Sequence, residues 1–166
     1  MTEEAGSSGP PRFIVDHNAG KLTRWIRMMG FDCLFFTGDD DGTMVRQAQA
    51  ERRFIITRDT GIARRRVVSH GLVRVVLLRD EQPERQMQQV NATLGLPEMA
   101  RPFTRCIECN TLLESKTPDE VRDRVPPYVY RTQTCYMECP GCLRIYWQGT
   151  HWEAMTRRLA ALSAFA

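Results

Sequence analysis

Apolar positions along the chain fall into two rhythms. Near-continuous runs of strand length, Phe13-Ile14-Val15, Phe31 to Phe36, Phe54-Ile55-Ile56 and Leu72 to Leu78, lack the alternation of a half-solvated sheet and predict strands buried on both faces. The segments between them carry helical spacing. In AGKLTRWIRMMG, Leu22, Trp25, Ile26 and Met29 recur at i, i+3, i+4 and i+7, while Lys21, Arg24 and Arg27 take the opposite face. That pattern predicts an amphipathic helix with Gly30 just past its end. TMVRQAQAERR predicts a second helix, built of good formers with Met44, Val45 and Ala48 on one side. TGIARRRVVSHG predicts a third and EQPERQMQQVNATLGL a fourth. Strands separated by helices of roughly ten residues require βαβ crossovers, hence a parallel sheet covered on both faces. The fold class is α/β.

Acidic residues gather where these strands end. RFIVD closes on Asp16, RFIITRD runs from its apolar core into Asp59, and the second strand is followed by TGDDDG with Asp39, Asp40 and Asp41. In open parallel sheets, ligands bind outside the carboxyl ends of the strands, so these acids share one edge. Converging carboxylates repel one another unless a cation belongs to the site, and hard oxygen donors suit Mg²⁺ or Mn²⁺. The competing reading is local. Aspartate is a good helix N-cap, so Asp59 ahead of TGIARRR serves equally as a cap, and the triple acid as a solvated turn. Acids at three places on one edge favour the shared site.

Length and composition bound the possibilities. A chain of 166 residues with 42% hydrophobic and 26% charged residues has room for one α/β core and a small appendage. No apolar run approaches the roughly 18 residues of a membrane span. The opening MTEEAGSSGPP lacks the basic and apolar regions of a secretion signal, so a cytoplasmic location and no membrane partner are expected. A net charge of +3 does not demand a polyanionic partner, although Arg52-Arg53 and Arg64-Arg65-Arg66 concentrate positive charge.

Cysteine placement marks a second unit. Cys33 stands alone within FDCLFF and reads as a small buried hydrophobe. The other five lie between Cys106 and Cys142, where CIEC and CPGC form two C-x₂-C pairs. Cys106, Cys109, Cys139 and Cys142 together complete the tetrahedral shell of a structural zinc ion. Disulfides fit a cytoplasmic setting poorly. Cys135 has no partner at this spacing and reads as free, and His151 beside Trp152 reads as structural. The long insert containing VPPYVYRTQ is expected to hold a strand or hairpin excursion.

In this order the residues resemble the PIN-like ribonucleases of the Mut-seven C-terminal family. FIVD, GKLTRWIRMMGFD and DDDGTMVRQAQAERRFIITRD follow the pattern D-x-x-L-G-K-L-A-R-W-L-R-x-x-G-Y-D, acidic turn, R-x-L-L-T-R-D, from Arg12 to about Leu96. Tyr146-Trp147-Gln148-Gly149-Thr150-His151 matches the Y-W-x-G-T-H that ends the family's zinc ribbon. From Trp152 the residues WEAMTRRLAALSAF read as a short amphipathic C-terminal helix over 152–166. The resemblance implies a PIN-like domain over 12–98 and a zinc ribbon over 103–151. It implies metal-dependent cleavage of RNA by Asp16, Asp41 and Asp59, with Asp40 beside Asp41 in the acidic turn, and Mg²⁺ or Mn²⁺ as catalytic cofactor beside the structural Zn²⁺. Lys21, Arg24 and Arg58 would position phosphates, and Asp80 or Glu81 would supply any fourth acid. Arg144, Tyr146 and Trp147 offer the ribbon a way to contact RNA by charge and stacking, unless it only buttresses the nuclease unit. One departure stands out: His17-Asn18-Ala19 follow Asp16 where the family shows small or apolar residues. That departure keeps open a non-catalytic RNA-binding module on the same scaffold.

Overall fold

The computed structural model of the chain describes residues 9–163. Strands β1 (Phe13–Asp16), β2 (Cys33–Phe36), β3 (Phe54–Thr57) and β4 (Val75–Leu77) run parallel in the order β2-β1-β3-β4. Around them lie α1 (Gly20–Met28), α2 (Asp41–Glu51), α3 (Thr60–Ala63), α4 (Arg66–Ser69) and α5 (Pro83–Leu94). β1 is central and buried throughout, which is why its apolar run is unbroken. Phe13 and Val15 face one cluster with Leu22, Ile26, Met29, Met87 and Val90; Ile14 faces the other with Met44, Val45, Ala48 and Ile62. Each such large side chain contributes on the order of 1.5–3 kcal/mol by leaving water.

Two sequence expectations change in detail. The third helix divides into α3 and α4 because Arg65 takes an extended conformation, ψ 145°. Arg64, Arg65 and Arg66 are all exposed, so no apolar stripe carries a helix through them. The fourth ends at Gly95, whose φ of 62° closes α5 before a single further turn, α6 (Leu96–Met99). Gly30 has a tighter requirement: at φ 94° an added Cβ would lie 2.1 Å from the Arg101 carbonyl oxygen. There the linker crosses the end of α1, with the Arg101 amide donating to the Met29 carbonyl at 2.8 Å.

The second unit is an antiparallel sheet of β5 (Glu114–Lys116), β6 (Tyr136–Glu138) and β7 (Ile145–Trp147) on a small core of Val121, Val125 and Tyr136. The insert between the two cysteine pairs, expected to hold a strand or hairpin excursion, holds the paired strands β5 and β6 and, between them, two helices: α7 (Pro118–Val121) and α8 (Pro127–Thr132). Both have proline at the first helical turn, and Thr117 with Glu120 forms a reciprocal capping box on α7. The last helix, α9 (Thr150–Ser163), returns to the first unit, where Leu162 enters the main core and Arg158 pairs with Glu84. The helix expected over 152–166 thus begins at Thr150, and residues 164–166 lie outside the described residues. No helix among the described residues is long and apolar enough to cross a membrane.

A polar clamp docks the first cysteine turn on the amino end of β2. Asp32 accepts from Arg53 at 2.7 and 3.1 Å, from Arg12 at 3.1 Å and from the Asn110 amide at 2.8 Å. The Asn110 side-chain oxygen in turn accepts from the Cys33 amide at 2.9 Å. Arg27 donates to the carbonyls of Cys33, Ile107 and Glu108. Arg53, read from sequence as part of a basic patch, is instead buried, and only Arg52 of that pair is exposed. Partial burial raises the Asp32 carboxyl, but the bonds from Arg53 and Asn110 outweigh it and hold the group well below the usual carboxylate range.

Candidate active site and metal centre

The register of β1 against β3 decides what meets at the carboxyl edge. Asp16, last in β1, is 3% exposed, and its Oδ2 accepts from the Thr57 hydroxyl at 2.8 Å and from the Asn18 amide at 2.9 Å. His17 Nδ1 lies 2.8 Å from the other oxygen. The same Thr57 hydroxyl accepts from the Asp59 amide at 3.0 Å. One buried hydroxyl therefore ties the Asp16 carboxylate to the backbone of Asp59, two residues past the end of β3. Asp59 also caps α3, its Oδ1 accepting from the Gly61 amide at 2.6 Å, while Oδ2 has no hydrogen-bond partner among the described residues. The cap and ligand readings of Asp59 are geometrically compatible, because each uses a different oxygen.

The acidic turn divides its labour. Asp40 is the N-cap of α2, accepting from the Gly42 amide at 2.9 Å, the Thr43 amide at 3.0 Å, the Thr43 hydroxyl and Arg46 at 3.2 Å. The Thr43 hydroxyl and the Gly42 amide hold its carboxyl below the usual range. Asp41 follows in the first turn of the helix, with only Arg65 near it, at 3.9 Å. Asp40 is thus occupied by local donors and Asp41 is left for another partner. Among the described residues, no three of these acids bring ligand oxygens within 4.8 Å of one another; the four cysteines alone form so tight a group. The acids share an edge, where Asp16 is engaged by Thr57, Asn18 and His17 while Asp41 has only the distant Arg65 as an ion-pair partner among the described residues.

The remaining predicted residues separate. Lys21 is exposed in the first turn of α1. Arg24 is drawn to Glu108 of the first cysteine turn, away from the acids. Arg58 pairs with Glu81 at 2.6 Å, and Asp80 accepts from the Gln82 amide and from Arg85. Thr57, Asn18 and His17 are the participants missed from sequence. Thr57 carried a signal, a hydroxyl ending the buried run FIIT, but threonine is an ordinary strand former and its target lies 41 residues earlier.

The cysteines form the second centre. Cys106 Sγ lies 3.6 Å from Cys142 Sγ, and Cys109 Sγ lies 3.2 Å from Cys139 Sγ. Disulfides would require about 2.03 Å, whereas sulfurs bound to a tetrahedral zinc at about 2.3 Å stand roughly 3.7 Å apart. The donor set and spacing fit a metal such as zinc. Hydrogen bonding at Thr111, whose hydroxyl is 3.3 Å from the sulfur, holds the Cys109 thiol down to about 6, while burial pushes the Cys139 thiol up and the Cys142 thiol up to about 12. The Tyr146 hydroxyl lies 2.9 Å from Cys106 Sγ, and burial together with that contact pushes the phenol above its ordinary range. Cys135 is exposed and outside the group; Cys33 is fully buried, its thiol pushed up to about 12 by burial.

The fold and site define the class: a parallel α/β domain with acids at its carboxyl edge, joined to a four-cysteine module that could hold a metal such as zinc. The model of the Mut7-C RNAse domain family matches residues 11–159, and the chain belongs to that family. No curated protein and no solved structure matches it. Membership supports a ribonuclease-like function and fits the PIN-like domain with its ribbon.

Proposed function

We propose that the protein is a divalent-metal-dependent ribonuclease whose site is the acid edge of the sheet. The observation that supports this reading is the Thr57 hydroxyl, which donates to the Asp16 carboxylate and accepts from the Asp59 backbone amide, while Asp40 takes the capping duty at α2 and leaves Asp41 available. Asp16, Asp41 and Asp59 form an oxygen-only donor set suited to Mg²⁺ or Mn²⁺. An ion bound there lowers the pKa of an attacking water and neutralises charge at the scissile phosphate.

The chain's own groups do the rest. Thr57 fixes the orientation of Asp16, and Lys21 and Arg58 supply positive charge at the rim for backbone phosphates, contacts that orient RNA without reading its sequence. Cys106, Cys109, Cys139 and Cys142 hold zinc as a structural ion, with Tyr146 hydrogen-bonded to the Cys106 sulfur.

A second reading has its own observation: Asp16 is already engaged by Thr57, Asn18 and His17, as in a scaffold that binds RNA without cutting it. Labelled RNA incubated with the zinc-loaded protein separates the two. Mn²⁺ is added or omitted, and no chelator is used, since a chelator would also strip the thiolate centre. Cleavage that appears only with added Mn²⁺ or Mg²⁺ supports the nuclease; binding with no cleavage under any metal supports the second reading.

A further inference from the structure

The ribbon carries a groove of about 470 Å³ between α8, β7 and the first turns of α9. Its floor includes Tyr146, whose hydroxyl is taken by Cys106, and Trp147, whose ring packs on the ribbon core. Tyr128 lines the mouth yet is 69% exposed, and its hydroxyl makes no hydrogen bond among the described residues. Burying an aromatic ring is favourable, so a ring left this open at the lip of a groove offers its face to a ligand. Gln133 and His151 also line the groove, and neither side chain is engaged by another described residue.

Charge narrows the choice of ligand. No aspartate or glutamate lines the groove, which leaves nothing to recognise a basic peptide. Arg131, one helical turn from Tyr128, and Arg144, just before β7, are exposed and make no salt bridge among the described residues. Gly149 and Thr150 bring the amino end of α9 to the same groove, but Glu153 already occupies its first turn, so the arginines supply the positive charge there. Aromatic faces, unused amide and imidazole groups and flanking arginines together match a base attached to a phosphate chain.

We infer that this groove binds an unpaired nucleobase of single-stranded RNA, stacked on Tyr128, as an anchor for strands that extend beyond the acid edge. The inference rests on the ribonuclease reading for its choice of RNA. The groove adjoins the first cysteine turn through Ile107, and that turn is docked at the amino end of β2, opposite the edge that carries the acids.

The test uses the full zinc-loaded chain without added Mg²⁺ or Mn²⁺ and a fluorescent single-stranded RNA of about 12 nucleotides, within the usual site sizes for such proteins. A duplex of the same length is the control. Tyr128→Ala, a change at an exposed side chain, is expected to weaken single-strand binding about 5- to 100-fold. The slope of log affinity against log salt should stay unchanged, because no phosphate contact is lost. Tyr128→Phe should bind like the parent, and the duplex should not respond to either change. Parental affinity in Tyr128→Ala, or an equal loss for the duplex, overturns the inference, and so does wild-type protein that binds neither RNA; the groove's apolar walls would then belong to a protein interface. Failure of the ribonuclease reading looks different: the wild type with Mn²⁺ cleaves nothing, and the binding comparison stands unaffected.

Discussion

Thr57 does two things with one hydroxyl, donating to Asp16 and accepting from the Asp59 amide. Thr57→Val keeps the shape and removes the bridge, leaving a part-buried amide and a nearly buried carboxylate each short of a partner. A loss of about 1–3 kcal/mol in unfolding free energy is expected from chemical denaturation, together with reduced RNA cleavage; Thr57→Ser should recover both. A valine variant as stable and active as the parent would remove Thr57 from the site. The neighbouring turn provides a paired comparison. Asp40→Asn keeps an N-cap and should cleave RNA nearly as well as the parent, whereas Asp41→Asn should lose most activity with little change in melting. Asp41 is the acid the sequence leads one to expect from the turn, and the aspartates at or just past the strand ends were legible from the sequence. The bridging role of Thr57 was not, because it depends on the register of two strands whose contacting residues lie far apart in the chain.

At the level of elements, the four strands of the parallel sheet and the long helices followed directly from apolar spacing, while the ribbon strands did not and the breaks depended on local chemistry. α3 and α4 separate where three arginines offer nothing to bury, and α7 and α8 occupy an insert whose prolines and capping box favour helix. Arg53 was the least legible residue, since its place inside a carboxylate clamp comes only from packing. That clamp makes acid stability a reporter. Asp32 has a folded pKa below its unfolded value of about 3.9. Its contribution is therefore complete above that value and is lost as pH falls from about 4 toward the folded pKa. Asp32→Asn should lower stability at neutral pH and flatten the acid limb of the stability curve, measured by denaturant unfolding from pH 7 to pH 3; an unchanged acid limb would show that the clamp does not titrate as described.

The molecule as a whole is tied together by its ribbon. Asn110 and the carbonyls of Ile107 and Glu108 belong to the first cysteine turn, yet they hold Asp32, Cys33 and Arg27 of the first unit. Metal at the four cysteines should therefore stabilise the entire chain rather than the ribbon alone. Protein purified without added metal is expected to carry about one zinc per chain by elemental analysis. Cys109→Ser should lose it and lower the melting temperature of the nuclease unit as well, while Cys135→Ser should change neither. Full zinc content in Cys109→Ser would contradict the assignment.

Asp59→Asn reaches the central claim most directly. Asparagine caps a helix about as well as aspartate but lacks the charge that holds a divalent ion. RNA cleavage with saturating Mn²⁺ should fall about 100-fold or more, the scale seen when one electrostatic stabiliser is removed from an active site. Melting without added Mn²⁺ should stay level or rise as crowded carboxylates are relieved. Cleavage at the parental rate would leave Asp59 as the cap of α3 and nothing more, and the acid edge would not be the site of catalysis.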